Sequence, residues 1–199
     1  GGRYTPSYVL YRCEADGSNL TRLSFGEANE WNPSVLPDGR ILYTRWDYIN
    51  RHDTLLQSLW TTRPDGTGTA HYYGNSTRNP CMTAQARAIP GSDLVVALAM
   101  AHHSFSSGSL VTVDRRLGEE GLDPLRRLTP ESSFPETEAM PVGSYCDPWP
   151  LSEDLYLAAY DPARLVGQGQ VASRNGYGLY LVDTLGGREL LYRDPRTCC

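Results

Sequence analysis

Lysine is absent from this chain, and its 18 arginines are outnumbered by 23 aspartates and glutamates. The formal net charge at pH 7 is −5. Proteins that bind nucleic acid need a basic face to contact the phosphate groups. The sequence therefore argues against a nucleic-acid partner.

Long apolar runs and short cysteine motifs are also missing. No stretch approaches the roughly 20 apolar residues of a membrane-spanning helix, so we expect no membrane span. The five cysteines, at positions 13, 81, 146, 198 and 199, have neither CxxC nor CxxCH spacing. This excludes a self-contained zinc knuckle and a haem attachment site within the chain. Hydrophobic residues make up 40% of the sequence, which is typical of a globular protein.

No segment keeps a helical period over three turns. Instead, short runs rich in Val, Leu, Tyr, Trp and Thr alternate with Gly, Pro and Asp turns, as in RILYTRW (40–46) and DLVVALAM (93–100). Such residues fit the pleated, half-buried surface of a sheet. The sequence therefore predicts an all-β protein.

The predicted strands recur in units of four. Each unit has a first strand, a tight turn, a second strand, a longer loop, and two further strands joined by a Gly turn. The tight turns are Pro37-Asp38-Gly39, Pro90-Gly91-Ser92 and Leu151-Ser152-Glu153. Complete units cover residues 31–74, 81–130 and 144–195, and residues 8–25 look like the last two strands of a preceding unit.

Four antiparallel strands per repeat, arranged radially, are typical of a β-propeller. One such sheet cannot bury both faces alone, so it stacks on its neighbours. About three and a half blades are too few to close a ring, because propellers have roughly 4–8. We therefore expect residues 1–199 to be part of one propeller domain cut from a longer polypeptide. A β-sandwich is the alternative, but three similar turns at matching places favour the propeller.

The pattern DGSNLTRLSFG…NPSVLPDGRILYTR resembles the TolB-type, WD40-like propeller repeat, in which Pro-Asp-Gly joins the first two strands of a blade. The segments WNPSVLPDGRILYTRWDY (31–48), ARAIPGSDLVVALAMAHHSFSSGSLVTVD (86–114) and SYCDPWPLSEDLYLAAYD (144–161) are similar to the middle, propeller-bearing domain of the hydrazine synthase alpha subunit and its relatives. The resemblance runs from Tyr8 to Pro195.

This resemblance implies a propeller domain in a periplasmic or secreted protein. Hydrazine synthase is a multihaem enzyme, and its CxxCH motifs are absent here. Haem would therefore have to be carried elsewhere in the parent polypeptide, and hydrazine synthesis is not implied.

The propeller topology predicts where candidate ligands lie. The first strand of a blade starts at the edge where the second strand ends, because the two are antiparallel and joined by a tight turn. The starts are Trp31-Asn32, Cys81-Met82 and Cys146-Asp147, and the ends are Arg45-Trp46-Asp47, His102-His103 and Tyr160-Asp161. We therefore expect these side chains on one rim of the central channel.

Thiolate, imidazole and carboxylate groups are suitable zinc ligands. The sequence therefore predicts a metal site, with zinc as the candidate cofactor, drawn from Cys81, His102, His103, Cys146 and Asp147. If both histidines were in strand geometry they would point to opposite faces, so one of them is expected to bind, and His103, nearer the loop, is favoured. In the alternative, His102 packs between blades, His103 caps the loop and the cysteines are buried as small hydrophobes.

A second set of rim residues suggests a ligand or partner surface. Arg45, Trp46 and Asp47 are candidates to bind an anionic or sugar-like ligand, and Tyr160 and Asp161 lie on the same predicted rim. The alternative for the first three is a salt bridge beside a packed indole.

Two loop features complete the candidates. Ser104, Ser106 and Ser107 lie near His103, but without a Gly-x-Ser-x-Gly elbow they do not predict a catalytic nucleophile. The long loop 163–176 is expected to cover the channel mouth or to dock a neighbouring domain.

Three functions remain open at this point. The favoured one is a non-catalytic scaffold that docks another domain of the same polypeptide, or a protein partner, at its channel face. The second is part of a redox or metal-dependent enzyme whose rim supplies Cys, His and Asp ligands. The third is a propeller that gates a peptidase or binds carbohydrate.

Overall fold

The structure, a computed structural model, describes residues 7–26, 29–47, 57–103, 106–165 and 176–194. Within these ranges the regular structure consists of β-strands, apart from one 3₁₀ turn at Arg115–Leu117. The named strands pair with one another in antiparallel fashion. The predicted all-β, antiparallel class is confirmed. The same described residues contain no helix long and apolar enough to cross a membrane.

The N-terminal part forms a hairpin followed by a four-stranded sheet. The hairpin consists of β1 (Tyr11–Arg12) and β2 (Thr21–Arg22). The sheet contains, in chain order, β3 (Asn29–Val35), β4 (Ile41–Trp46), β5 (Gln57–Thr62) and β6 (Ala70–Tyr73).

The remaining strands form one eight-stranded sheet. They are β7 (Thr83–Ala88), β8 (Val95–Met100), β9 (Gly108–Val113), β10 (Leu125–Arg127), β11 (Val142–Pro150), β12 (Leu155–Arg164), β13 (Gly178–Asp183) and β14 (Arg188–Tyr192). Strands β7 to β10 follow one another as a meander, and so do β11 to β14. The two meanders join where β11 meets β9, with Tyr145 opposite Gly108.

This arrangement differs in one respect from three separate blades. The second and third predicted units are continuous in one sheet, and the described residues do not close a ring. The close pairing of β8 and β9 requires glycine at position 108, because a Cβ atom there would lie 1.9 Å from the carbonyl oxygen of Ala99 on β8. The blade boundaries 8–25, 31–74, 81–130 and 144–195 remain predictions.

The core lies between stacked sheet faces, and β8 shows this most clearly. All six of its residues are buried. Val96 and Leu98 pack in a cluster with Tyr156 and Val182 of the C-terminal meander. The alternate residues of β8 pack instead with β3–β6 side chains such as Leu59. A strand buried on both faces reads as a continuous apolar run rather than an alternating one, as VVALAM does.

Candidate functional site

Within each four-stranded unit, the start of the first strand lies beside the end of the second. Asn29 pairs with Trp46, and Val142 pairs with Arg164, so β12 continues beyond the predicted strand end at Tyr160-Asp161. In the middle unit the N–H of Met100 donates to the carbonyl oxygen of Met82 at 3.1 Å. We call this edge the rim, defined by residues 29–32, 45–47, 81–82, 100–103, 144–147 and 160–161. The opposite edge, which carries the tight turns, is called the turn edge.

A cavity of about 480 Å³ opens at the rim. The described residues that line it carry mostly aromatic, carboxamide, thioether and hydroxyl groups, and none of these residues is an aspartate, glutamate or arginine: Tyr8, Asn29, Trp31, Asn32, Trp46, Gln57, Met82, Gln85, Met100, Ala101, His102 and Ser106. Its volume falls within the usual range for small-molecule sites, about 300–1,000 Å³.

Aromatic rings form one wall of the cavity. The indole of Trp46 packs edge-on against Trp31, with centroids 6.5 Å apart, and against His102, with centroids 5.0 Å apart. The Nε2 atom of Gln57 contacts Nδ1 of His102. The N–H of Gln57 also donates to the carbonyl oxygen of Cys81 at 3.4 Å, which ties β5 to the residues preceding β7.

The first strands of the three units, β3, β7 and β11, which we call the inner strands, each contain a β-bulge at the same relative position. The bulged residues Asn32, Gln85 and Asp147 have positive φ angles of 51°, 53° and 50°. Register shifts in the pairing with the second strands bracket each of them. Left-handed backbone is unfavourable for residues other than glycine, and bulges re-aim side chains next to functional sites. Two of the three, Asn32 and Gln85, line the cavity.

Glu136 holds the loop that carries the two histidines. Its carboxylate accepts hydrogen bonds from the backbone N–H of His102 at 2.6 Å and of His103 at 2.9 Å. Its Oε1 atom also lies 2.8 Å from Nδ1 of His103. Glu136 itself has a φ angle of 63°. Sequence reasoning missed this residue, because a contact across 33 positions leaves no local pattern.

The two histidines do not have the strand geometry under which their side chains would point to opposite faces. Strand β8 ends at Met100, so His102 and His103 lie beyond it and do not alternate between faces. Their rings are close instead, with centroids 4.5 Å apart and planes nearly perpendicular. His102 lines the cavity, whereas the side chain of His103 is 46% exposed beside Glu136.

Cys81 is a buried thiol rather than an exposed ligand. Its Sγ atom lies 3.9 Å from the carbonyl oxygen of Met100 and 3.9 Å from Oε2 of Glu136. Burial, with Glu136 as the second cause, raises the pKa of this thiol to about 12. Cys146 is half-buried on β11 opposite Ala159.

The donor set does not fit a zinc site in the described part of the chain. No group of three or more His, Cys, Asp or Glu side chains there could hold a metal ion. Asp147 is exposed, and its backbone N–H donates to Oε1 of Gln85 at 2.7 Å. The zinc site drawn from Cys81, His102, His103, Cys146 and Asp147 therefore gains no support from the geometry and stays a prediction.

Arg45 and Asp47 pair with each other. The Nε atom of Arg45 lies 2.8 Å from Oδ1 of Asp47. The guanidinium stacks over the indole of Trp60, 4.7 Å from the ring centroid. The alternative of a salt bridge beside a packed indole is therefore present for Arg45 and Asp47. The indole that packs under the guanidinium belongs to Trp60, whereas Trp46 lines the cavity.

Tyr160 and Asp161 have local structural partners. The ring of Tyr160 lies against that of Tyr145, with centroids 4.6 Å apart. The carboxylate of Asp161 accepts from the N–H of Ala163 at 2.8 Å and of Gly176 at 3.1 Å. Residues 166–175 of the predicted long loop lie outside the described residues.

The serines do not form a histidine-activated nucleophile in the described region. Ser107 Oγ contacts the hydroxyl of Tyr177, and Ser106 lines the cavity. Ser104 lies outside the described residues.

The overall arrangement has a counterpart among solved structures. The fold is similar to that of hydrazine synthase from Kuenenia stuttgartiensis, with a TM-score of 0.66 and 19% sequence identity. The two share a fold. The match covers 88% of this chain and 21% of the hydrazine synthase chain, so the chain spans about a fifth of that protein. No protein-family model matches the sequence, and no curated protein matches it.

Proposed function

We propose that the chain is part of a β-propeller scaffold in a larger, exported protein, and that its rim binds another domain of the same polypeptide or a protein partner. The exported location rests on the family resemblance alone. Hydrazine synthesis is not proposed. The similarity to hydrazine synthase, at 19% identity over 21% of that chain, supports a shared fold and does not extend to its activity.

The observation that carries the proposal is the difference between the two edges of the stacked sheets. The rim has a cavity walled by Trp31, Trp46 and His102. The turn edge is closed by local hydrogen bonds, such as Leu36 N–H to the carbonyl oxygen of Arg40 at 2.8 Å. Concave sites with aromatic walls and a few fixed polar groups are typical binding sites. The turn edge carries instead the tight turns and the β9–β10 segment with its 3₁₀ turn at Arg115–Leu117.

The metal-dependent alternative has weaker support. Its candidate thiol, Cys81, is buried with a raised pKa, and thiolates are the form that binds metal. The described carboxylates near the histidines are engaged with backbone groups, as Glu136 is with His102 and His103. In the scaffold role, Cys81, Glu136 and the two histidines keep the contacts that they make in the structure.

Site-specific photo-cross-linking in the full-length natural protein tests the proposal. A benzoylphenylalanine at Ser106, exposed on the cavity wall, is compared with one at Leu185, which is 94% exposed in the β13–β14 turn at the turn edge. We expect cross-links from position 106 to residues outside this chain, or to a co-purifying subunit, and none from position 185. Equal cross-linking at both positions, or cross-linking from 185 alone, would overturn the proposal.

A further inference from the structure

The chemistry of the cavity wall suggests a class of ligand. Carboxamide side chains, among them Asn32, Gln57 and Gln85, line it together with the indoles of Trp31 and Trp46. A carboxamide offers donors and an acceptor at once, which matches a ring bearing neighbouring hydroxyl groups. An indole offers a broad face with a negative quadrupole, against which polarised C–H groups of such a ring can pack.

The polar groups of the wall are held in place by the fold. Gln57 is 2% exposed and contacts His102, and Asn29 is 4% exposed and accepts from the N–H of Tyr8 at 3.1 Å. The Trp46 ring is fixed between Trp31 and His102 by edge-to-face contacts. Groups fixed before binding lose little conformational entropy when a ligand arrives.

Backbone strain points to the same place. Asn32 and Gln85 are both in left-handed conformation and both line the cavity. Strained residues persist only where the surrounding structure holds them, and they concentrate at ligand sites. The repetition of the bulge in two neighbouring inner strands places one carboxamide from each sheet on the cavity wall.

The ligand should carry no net charge. Among the described rim residues, Arg45 is paired with Asp47, and the carboxylate of Glu136 accepts hydrogen bonds from the loop that carries His102. A charged ligand would lose hydration on entering the cavity and meet no opposite carboxylate or guanidinium among the described lining residues.

We propose that this cavity binds a neutral carbohydrate ring, which packs on Trp46 and hydrogen-bonds to the carboxamides of Asn32, Gln57 and Gln85. The inference deepens the proposed function and rests on its premise that the rim is the binding face. The ligand recognised at the rim is then a sugar, either free or attached to the domain that binds there.

The test is a titration of the folded protein followed by tryptophan fluorescence and by NMR of the side-chain amides. The probes are glucose and N-acetylglucosamine, with glucuronic acid and glucosamine as charged counterparts. We expect saturable shifts with a neutral sugar, with a Kd on the order of 1 mM or tighter. Binding of the charged counterparts should be at least about tenfold weaker, because their desolvation is uncompensated.

Matched variants locate the site. Trp46→Phe should weaken binding about tenfold, whereas Trp149→Phe should not, because Trp149 is 53% exposed under Arg87 on another part of the surface. Asn32→Gly removes one carboxamide and also removes the strain of the left-handed backbone, which glycine adopts readily. It should weaken binding about fivefold in a protein that stays folded, since the loss of one hydrogen bond is of this order.

The outcomes separate the two proposals. No saturable shift with either neutral sugar at about ten times the expected Kd, or equal losses for Trp46→Phe and Trp149→Phe, overturns the carbohydrate site. Sugar binding without cross-links from position 106 overturns domain docking and supports the sugar site. Cross-links without sugar-induced shifts support docking and overturn the sugar site.

Discussion

The backbone N–H of Asp147 donates a hydrogen bond to Oε1 of Gln85 at 2.7 Å, joining the bulges of two neighbouring inner strands. Both residues have left-handed backbone. The contact therefore spans the two meanders at the rim, away from their only described strand pairing at Tyr145 and Gly108. This hydrogen bond explains why position 85 has a glutamine, whose carboxamide reaches Asp147, although its φ angle is unfavourable.

Substitutions at Gln85 separate the hydrogen bond from the backbone strain. Gln85→Ala loses the bond to Asp147 and keeps the strain, so we expect a loss of about 1 kcal/mol in the free energy of unfolding. Gln85→Gly also loses the bond but relieves the left-handed backbone, and should be more stable than the alanine variant by about 1 kcal/mol. Urea unfolding measures both. An alanine variant as stable as wild type would contradict the role of this side chain in joining the two meanders.

Glu136 should control the order of the histidine loop. Glu136→Ala removes the acceptor for the N–H groups of His102 and His103, so their amide hydrogens should exchange faster. Hydrogen bonds to a charged group are worth about 1.5–3 kcal/mol, and stability should fall by an amount in that range. Hydrogen-exchange mass spectrometry provides the measurement, with Glu189→Ala on the exposed strand β14 as the control. Unchanged protection of residues 101–103 would refute the role.

Local patterns were sufficient to predict the strands and their turns. The alternation of apolar residues and the Pro-Asp-Gly turn at 37–39 predict the β3–β4 pair, because strand period and turn chemistry are both short-range properties. The meeting of first-strand starts with second-strand ends follows from antiparallel pairing alone. Continuity of β7–β14 in one sheet depends on the pairing of Tyr145 with Gly108, which are far apart in sequence, so no local pattern reveals it.

The candidate site was only partly predictable. Trp31, Asn32, Trp46 and His102 were placed on the rim from topology, and all four line the cavity. Asn32 precedes a proline, which favours extended backbone and not the left-handed conformation found there. Gln85 precedes alanine, and its bulge, like the contacts of Glu136, has no local signal and arises from tertiary packing.

Cys81 should resist alkylation in the folded protein. The raised pKa of its buried thiol, about 12, leaves very little thiolate at pH 8, and the thiolate is the reactive form. Cys13 is exposed and should react readily. Treatment with iodoacetamide followed by peptide mass spectrometry compares the two sites directly. Modification of Cys81 as fast as Cys13 would contradict its burial and restore the thiolate-ligand interpretation.

Glu138 gives the protein an acid-sensitive contribution to stability. The Arg127 guanidinium, aided by the N–H of Phe134 and by Asn79, lowers the pKa of this carboxyl from 4.5 to about 2. A lowered folded-state pKa stabilises the fold above the unfolded-state pKa, and this stabilisation is lost as pH falls from about 4.5 to about 2. Allowing for solvent screening, the contribution is about 1–2 kcal/mol.

Glu138→Gln should therefore be less stable than wild type at pH 7 and should approach it near pH 2. Urea unfolding at a series of pH values measures the difference. Parallel pH profiles for the two proteins would show that the ion pair with Arg127 contributes nothing to the pH dependence. An exposed acidic control is available in Glu189.

The central claim is that the rim, and not the turn edge, is the occupied face of this domain. Electron cryomicroscopy of the full-length natural protein measures this directly. The account predicts density from another domain or subunit over Trp31, Trp46 and His102, with the turns around Gly39 and Gly91 open to solvent. A map in which the rim cavity faces bulk solvent while another domain covers those turns would contradict it.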